Sequence, residues 1–285
     1  MNALYMMLSA ACIAILGLLA KWDQAAMPLS LAVLLRLLVP MMLLLPFVSV
    51  KDMRQALLHG TQVQWWRALF SFGGQYCLFA SIEKASLLNA ILLYNTAPLF
   101  IPLLAALVYR ERLSHRALIS AVIGFVGIAL VLHPRGGGLN AGAWIGLASG
   151  FFMASSQICL YNSSQTEKLN ANMFSVYALS SCFALIVILL THPTSVTLAL
   201  HLTTLTWLAL LGMSIASLGN QVFRYWAYKG AHSPSHLAPF MYFAVLLSGL
   251  LDWLFFQETP SVMSCFGALL VLIAIVIVTF NKRRV

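Results

Sequence analysis

The sequence predicts an all-α integral membrane protein with ten transmembrane helices arranged as two inverted five-helix repeats. Three observations carry that expectation. First, 61% of the 285 residues are hydrophobic and 8% are charged, whereas a water-soluble domain carries about 25% charged residues. Too few charges are present to coat a globule. Second, a spanning helix needs about 20 mostly apolar residues. Such runs recur at roughly 3–20, 28–49, 65–82, 87–109, 116–132, 142–161, 172–190, 205–227, 234–256 and 262–280, and they leave no room for a soluble domain of useful size. Third, the stretch "HPRGGGLNAG" at 133–142 stops one run and a new run opens directly after it. It divides the spans five and five: 1–134 as the first repeat, 135–141 as linker, 142–285 as the second repeat. Five is odd, so the second half must enter the bilayer upside down relative to the first.

The net charge of +9 invites a nucleic-acid partner, but its distribution argues against one. With the N-terminus inside, Lys51, Arg54, Arg110, Arg112, Arg116, Lys168, Lys229, Lys282, Arg283 and Arg284 fall on the inner side. Lys21, Lys84 and Arg135 fall outside. This asymmetry sets both termini in the cytoplasm and the chain in the cytoplasmic membrane. The first span does not read as a signal peptide, because Lys21 is the first charge and no cleavage site follows it. Cys12, Cys77, Cys159, Cys182 and Cys265 all lie in apolar spans without a CxxC pair. They read as packing residues, with no metal or cofactor expected.

An ionisable group inside the bilayer costs at least about 2.5–3.5 kcal/mol and is a functional candidate first. Taken in order, the second span carries Arg36, which either binds a carboxylate or phosphate or pairs with backbone carbonyls. The third carries Gln75 and Tyr76. The fourth reads "AILLYNTAPLFIP", with Tyr94, Asn95 and Thr96 at mid-depth beside Pro98 and Pro102. Proline frees backbone carbonyls, which are tolerated only against protein or a water-filled cavity. Those residues therefore read as a binding site, or as a kink held by the Asn side chain. The fifth and sixth spans carry Gly124 and Gly127, and Gly142, Gly146 and Gly150, small faces suited to close helix packing. Gln157 and Tyr161 share one face of the sixth span. In the eighth, Asn220 and Arg224 are four apart on one face, with Gln221, Tyr225 and Tyr228 on the adjoining strip. Either this face is a cavity wall, or Arg224 reaches the interface beside an aromatic belt. In the ninth, His236 and Tyr242 flank Pro239, and Asp252 is the acid inside an apolar run, a candidate for proton coupling or for a structural ion pair. Glu111 and Glu258 close the fourth and ninth spans as gating or capping residues. Setting Glu111 on Glu258 aligns 85–114 with 232–261, placing Asn95 against Tyr242, with prolines in both segments. Interrupted helices in matching positions of inverted halves point to a midplane binding site. On this reading Arg36, Asn95 and Tyr242 border one cavity.

The motifs "TAPLFIPLLAALVYRERLS", "GFVGIALVLHP" and "LAPFMYFAVLLSGLLDWLFFQETPS", with Arg36 in "LLRLLVP", resemble the EamA-type branch of the drug/metabolite transporter superfamily. The resemblance spans essentially the whole chain. The pattern APF-x-Y…F-x-E-x-P is similar to a subgroup of S-adenosylmethionine and riboflavin carriers and metallophore exporters. The Gly that often precedes the family's Glu is absent in both halves. The resemblance implies alternating access. No G-x-x-x-x-G-K-[ST] loop occurs, so ATP is not expected to drive transport directly. The expected cargo is an S-adenosylmethionine-like or amino-acid-like solute, with a metallophore or riboflavin as the alternative. Expected partners are that small molecule, membrane lipid, and protons or a counter-substrate. An enzyme is not expected: a second intramembrane acid and an H-E-x-x-H motif are both missing. A passive channel ranks equally low.

Overall fold

The computed structural model describes residues 1–22, 28–51, 53, 62–84, 87–110, 115–132, 141–191, 202–257 and 262–279. Among them all regular structure is helical. The elements are α1 (Asn2–Trp22), α2 (Leu29–Leu44, extended by a 3-10 turn over Leu45–Phe47), α3 (Gln62–Lys84), α4 (Leu87–Tyr94), α5 (Ala97–Tyr109), α6 (His115–Leu132), α7 (Ala141–Thr166), α8 (Leu169–Thr191) and α9 (Thr204–Tyr228). Two 3-10 turns follow (Pro234–His236 and Ala238–Tyr242), then α10 (Phe243–Phe256) and α11 (Val262–Thr279).

Local sequence explains the boundaries. Pro28 immediately precedes α2, and Thr203 caps α9 by accepting from the Thr206 N–H at 3.3 Å, satisfying an orphan donor of the first turn. α4 stops at Tyr94 and α5 restarts at Ala97 with Pro98 in its first turn. Proline lacks an N–H, so the carbonyl four residues back, that of Tyr94, loses its helical donor. The region predicted as one helix from 234 instead begins as two 3-10 turns. Pro234 and Pro239 open them, and regular α-helix follows only from Phe243. Both interrupted segments end alike: α5 closes on Arg110 at φ 52°, α10 on Gln257 at φ 56°. These left-handed residues stand 147 positions apart, the offset that sets Glu111 on Glu258.

Seven segments among the described residues are long and apolar enough to cross a membrane, with shorter apolar helices over His115–Leu130 and Cys265–Ile277. α3 has the length, at 23 residues, but not the apolarity. It carries Gln62, Gln64, Arg67, Gln75, Glu83 and Lys84, and it packs extensively against α7 and α8.

The most extensive packing joins α3 to α7, α1 to α9 and α6 to α11. Small residues permit each approach. A Cβ on Gly150 would stand 2.3 Å from Thr96 Oγ1 and 2.6 Å from the Leu93 carbonyl, so α7 lies directly on the α4–α5 break. Gly146 makes the same close approach to Ser81 and Leu93, and Gly127 to the Gly267 carbonyl on α11. Next come α2 with α8, α3 with α8, α2 with α9, α4 and α5 with α7, and α1 with the 3-10 turns and α10. The largest buried apolar cluster runs from Leu31 to Leu44 on α2 across Met173 to Ile188 on α8, and it reaches Leu210 and Met213 on α9.

Candidate functional site

At one end of the bundle, the first turns of α3 and α8 meet the last turns of α7 and α9 in a buried polar cluster. Arg67 is 2% exposed. Its Nη1 donates to the Asn172 side-chain oxygen, and to the Asn172 carbonyl at 3.2 Å; Nη2 donates to Gln221 Oε1 at 3.3 Å. Asn172 Nδ2 donates onward to Ser163 Oγ at 2.7 Å and to Glu167 Oε2 at 3.0 Å. Gln64 Nε2 donates to the same carboxylate oxygen. Tyr225 donates its hydroxyl to the Glu167 carbonyl at 2.5 Å. Glu167 supplies the favourable charge acting on Arg67. A guanidinium presents five donors in a fixed fork, and here acceptors on two other helices engage both of its terminal nitrogens. The cluster ties α3, α7, α8 and α9 together across separations of up to 154 residues.

Arg224, one turn beyond Gln221 on α9, is 1% exposed. Its Nε and Nη2 have no hydrogen-bond partner among the described residues. Its electrostatic neighbours are the phenols of Tyr228, Tyr94 and Tyr177, and Arg67. Tyr228 is fully buried, and its hydroxyl likewise has no partner. Tyr177 shares a 2.7 Å hydrogen bond with Ser217, two turns before Arg224.

Further into the bundle, Arg36 lies with its guanidinium 4.9 Å over the Phe79 ring and its Nη2 directed to Met213 Sδ at 3.8 Å. Pro40 leaves the Arg36 carbonyl without its helical donor. Tyr76 packs on Phe72 with the rings tilted by 39°, and Phe72 meets Phe183 on α8 in the same way. Gln75 is half-buried beside it.

Several predicted site residues are committed elsewhere. Asn95 donates its amide back to the Ile91 carbonyl at 2.9 Å, and Thr96 donates to the Leu93 carbonyl at 2.6 Å, so both support the break itself. Asn220 accepts from Ser9 Oγ of α1 at 2.7 Å, so its amide oxygen is engaged by α1. Tyr161 ties α7 to the segment after α9, donating to the Ala231 and His232 carbonyls at 3.1 Å. Gln157 is buried, with Nε2 toward Met153 Sδ at 3.8 Å. His236 is exposed in its 3-10 turn. Tyr242 departs furthest from the expectation that it borders a cavity with Arg36 and Asn95. It is 0% exposed, donates to the Ala121 carbonyl of α6 at 3.1 Å, and fills the notch opposite Gly124. No surface of it is left for a cargo in this conformation. The physical reason is the missing Cβ at Gly124, which admits an aromatic ring into the α6 seam. Glu111 and Glu258 lie outside the described residues. Asp252 falls within α10, with its side chain also outside them.

Sequence reasoning passed over Arg67, Glu167 and Asn172. The rule that singled out Arg36 and Arg224 applies equally to Arg67. It stands one turn from the start of α3, after Trp65 and Trp66.

With this geometry in view, the comparisons with known proteins are specific. A model of the EamA-like transporter family matches residues 1–133 and again residues 140–280. The chain belongs to the EamA-like transporter family. Over 98% of its length it is 24% identical to a riboflavin transporter of Vibrio cholerae, covering 92% of that protein. It is 25% identical to a riboflavin transporter of Rhizobium johnstonii over 99% of this chain and 92% of that one. A pseudopaline exporter of Pseudomonas aeruginosa is 23% identical over 73% of this chain and 71% of its own. A crystal structure of another protein superposes with a TM-score of 0.77 at 19% identity, over 99% of this chain and 98% of that one, a likeness of fold. The protein is thus a multi-span membrane transporter of this family, which accounts for charged side chains sealed within an apolar bundle.

Proposed function

We propose that this EamA-like chain is a secondary transporter that moves a small amphipathic metabolite across the cytoplasmic membrane by alternating access. The observation that carries the reading is the match of the family model to both halves of the chain. In this reading the chain spans the bilayer ten times, with α4–α5 as one span and the 3-10 turns with α10 as another. The halves form inverted repeats around a polar site bordered by α2, α3, α8 and α9.

Packing supports the repeat. Exchange α1 with α7, α2 with α8, α3 with α9, α4–α5 with the turns and α10, and α6 with α11. The α3–α7 contact then becomes α9–α1, α3–α8 becomes α9–α2, and α4–α5 on α7 becomes the turns and α10 on α1. The pairs α2–α8 and α6–α11 map onto themselves, and each of these contacts is among the most extensive. The paired left-handed residues Arg110 and Gln257 obey the same exchange. Interrupted helices at matching positions of inverted halves are the usual frame of a midplane transport site. The distribution of basic residues in the loops supports both termini in the cytoplasm.

The cargo class follows from what surrounds the polar groups. Arg36 on Phe79 and the tilted Tyr76–Phe72–Phe183 ring cluster suit a solute with an aromatic or cationic face, and the arginines suit an acidic one. An S-adenosylmethionine-like or amino-acid-like zwitterion combines both. The second reading, a flavin-type cargo, draws on the names of the two relatives matched over nearly the whole chain. Labelled S-adenosylmethionine uptake into proteoliposomes, with riboflavin and aromatic amino acids as competitors, tests the proposal. Saturable uptake blocked by unlabelled cargo supports it. Competition by riboflavin alone selects the second reading, and a non-saturating flux points to a channel.

A further inference from the structure

We infer that Arg224 and the Tyr228 hydroxyl form a binding site for one acidic group, a carboxylate or a phosphate, on the transported molecule. The inference rests on the transporter reading above and assigns the chemistry of its site.

The argument begins with charge. Two guanidiniums, Arg67 and Arg224, are buried near one another, and among the described residues Glu167 is the carboxylate that acts on either. Glu167 acts on Arg67 and is held beside it by Asn172. Arg224 receives no such partner: its neighbours are phenols and a like charge. Burying a charge without a hydrogen-bonded counter-charge is strongly unfavourable. Evolution tolerates such a group where a ligand supplies what is missing.

The hydrogen-bond inventory agrees. Arg67 has both terminal nitrogens engaged, so it is held by its acceptors and stabilises the helix junction. Arg224 has Nε and Nη2 free, and these two lie on one edge of the guanidinium, the edge that grips a carboxylate or phosphate through parallel hydrogen bonds. Tyr228, one turn along the same face and an electrostatic neighbour of Arg224, offers a third unsatisfied donor. Three buried donors without acceptors fit an oxyanion and nothing cationic or apolar. Tyr94, at the end of α4 where the helix breaks, approaches the same guanidinium, so the site adjoins the interrupted helix. In this conformation the site is sealed, and the alternation proposed above is what would open it.

The test uses the full chain purified in detergent, with small probes that need no knowledge of the true cargo. Benzoate and phenyl phosphate supply the two acidic groups, and benzyl alcohol is the neutral control. Their concentration-dependent shift of the thermal unfolding midpoint is read for the native protein and for Arg224→Gln, Arg224→Lys and Tyr228→Phe. Stabilisation by one or both anions, absent with benzyl alcohol, is expected; which anion acts identifies carboxylate or phosphate cargo. Apparent affinity should fall about tenfold or more in Arg224→Gln and severalfold in Tyr228→Phe, as loss of hydrogen bonds to a charged group implies. Arg224→Lys keeps the charge without the fork and should fall between. Ligand-free Arg224→Gln should be at least as stable as the native protein, since an uncompensated charge has been removed. Native protein indifferent to both anions, or anion binding that survives Arg224→Gln undiminished, overturns the inference. Should Arg224→Gln fail to fold, undiminished binding in both other variants does the same. Anion binding without uptake in any vesicle assay would leave this site standing and remove the transporter reading instead.

Discussion

Arg67 shows how a single side chain can hold an end of a membrane bundle together. It engages acceptors from α8 and α9 and is balanced by Glu167 at the end of α7. Arg67→Met should destabilise the protein by about 1–3 kcal/mol, because Asn172 is left buried without its donor and the half-buried Glu167 without its cation. A lowered unfolding midpoint in detergent, with Glu167→Gln partly restoring the Arg67→Met protein, would check it. Tyr242 belongs to a different class. Tyr242→Phe removes one hydrogen bond to Ala121 and should cost about 1 kcal/mol while leaving the KM of transport unchanged; a raised KM would return Tyr242 to the site. At this scale the sequence was half legible. Arg36 and Arg224 stand alone in apolar runs, and intramembrane cost alone picks them out. Arg67 bears the same cost, but its role as a tie between helices is not legible, because its acceptors lie 105 and 154 residues away. Asn220 was misplaced for a related reason. Helical spacing puts it near Arg224, but only the position of α1 shows that Ser9 takes it.

Between residue and bundle lie the two interrupted helices. Pro98 frees the Tyr94 carbonyl, Asn95 and Thr96 bond back into α4, and Gly150 of α7 lies flat on the gap. Any Cβ at 150 meets Thr96 Oγ1 and a backbone carbonyl inside contact distance. Gly150→Ala should therefore force the break away from α7 and destabilise by about 1–3 kcal/mol, measurable as a lower unfolding midpoint. Gly17→Ala, with nothing near its would-be Cβ, is the control and should not destabilise. The prolines made both interruptions legible in the sequence. The Gly142–Gly146–Gly150 spacing showed that α7 has a small face, and packing is what that face does. Which helix it meets was not legible, since small residues specify closeness and not a partner. The 3-10 character of 234–242 was also hidden, because hydropathy cannot distinguish a tight turn from an α-helix.

For the whole molecule, membrane embedding was the most legible property. Composition alone decides it, and the family match to both halves agrees. The proposed division into exchangeable halves has only a faint trace in sequence, the Glu111–Glu258 alignment, because helices in lipid need apolar character far more than particular residues. The packing pattern and the paired left-handed residues Arg110 and Gln257 support the proposed relation more strongly than side-chain identity does. If the halves exchange roles about a central site, the protein should be a carrier. Counterflow tests this most directly. Proteoliposomes are loaded with unlabelled S-adenosylmethionine, or with riboflavin in a parallel series, then diluted into a trace of the same labelled compound with no ion gradient. The account predicts transient accumulation of label above its equilibrium level for one of these cargoes, which requires a site that faces one side at a time. Label that rises only to equilibrium, unaffected by the internal load, would contradict alternating access by this protein.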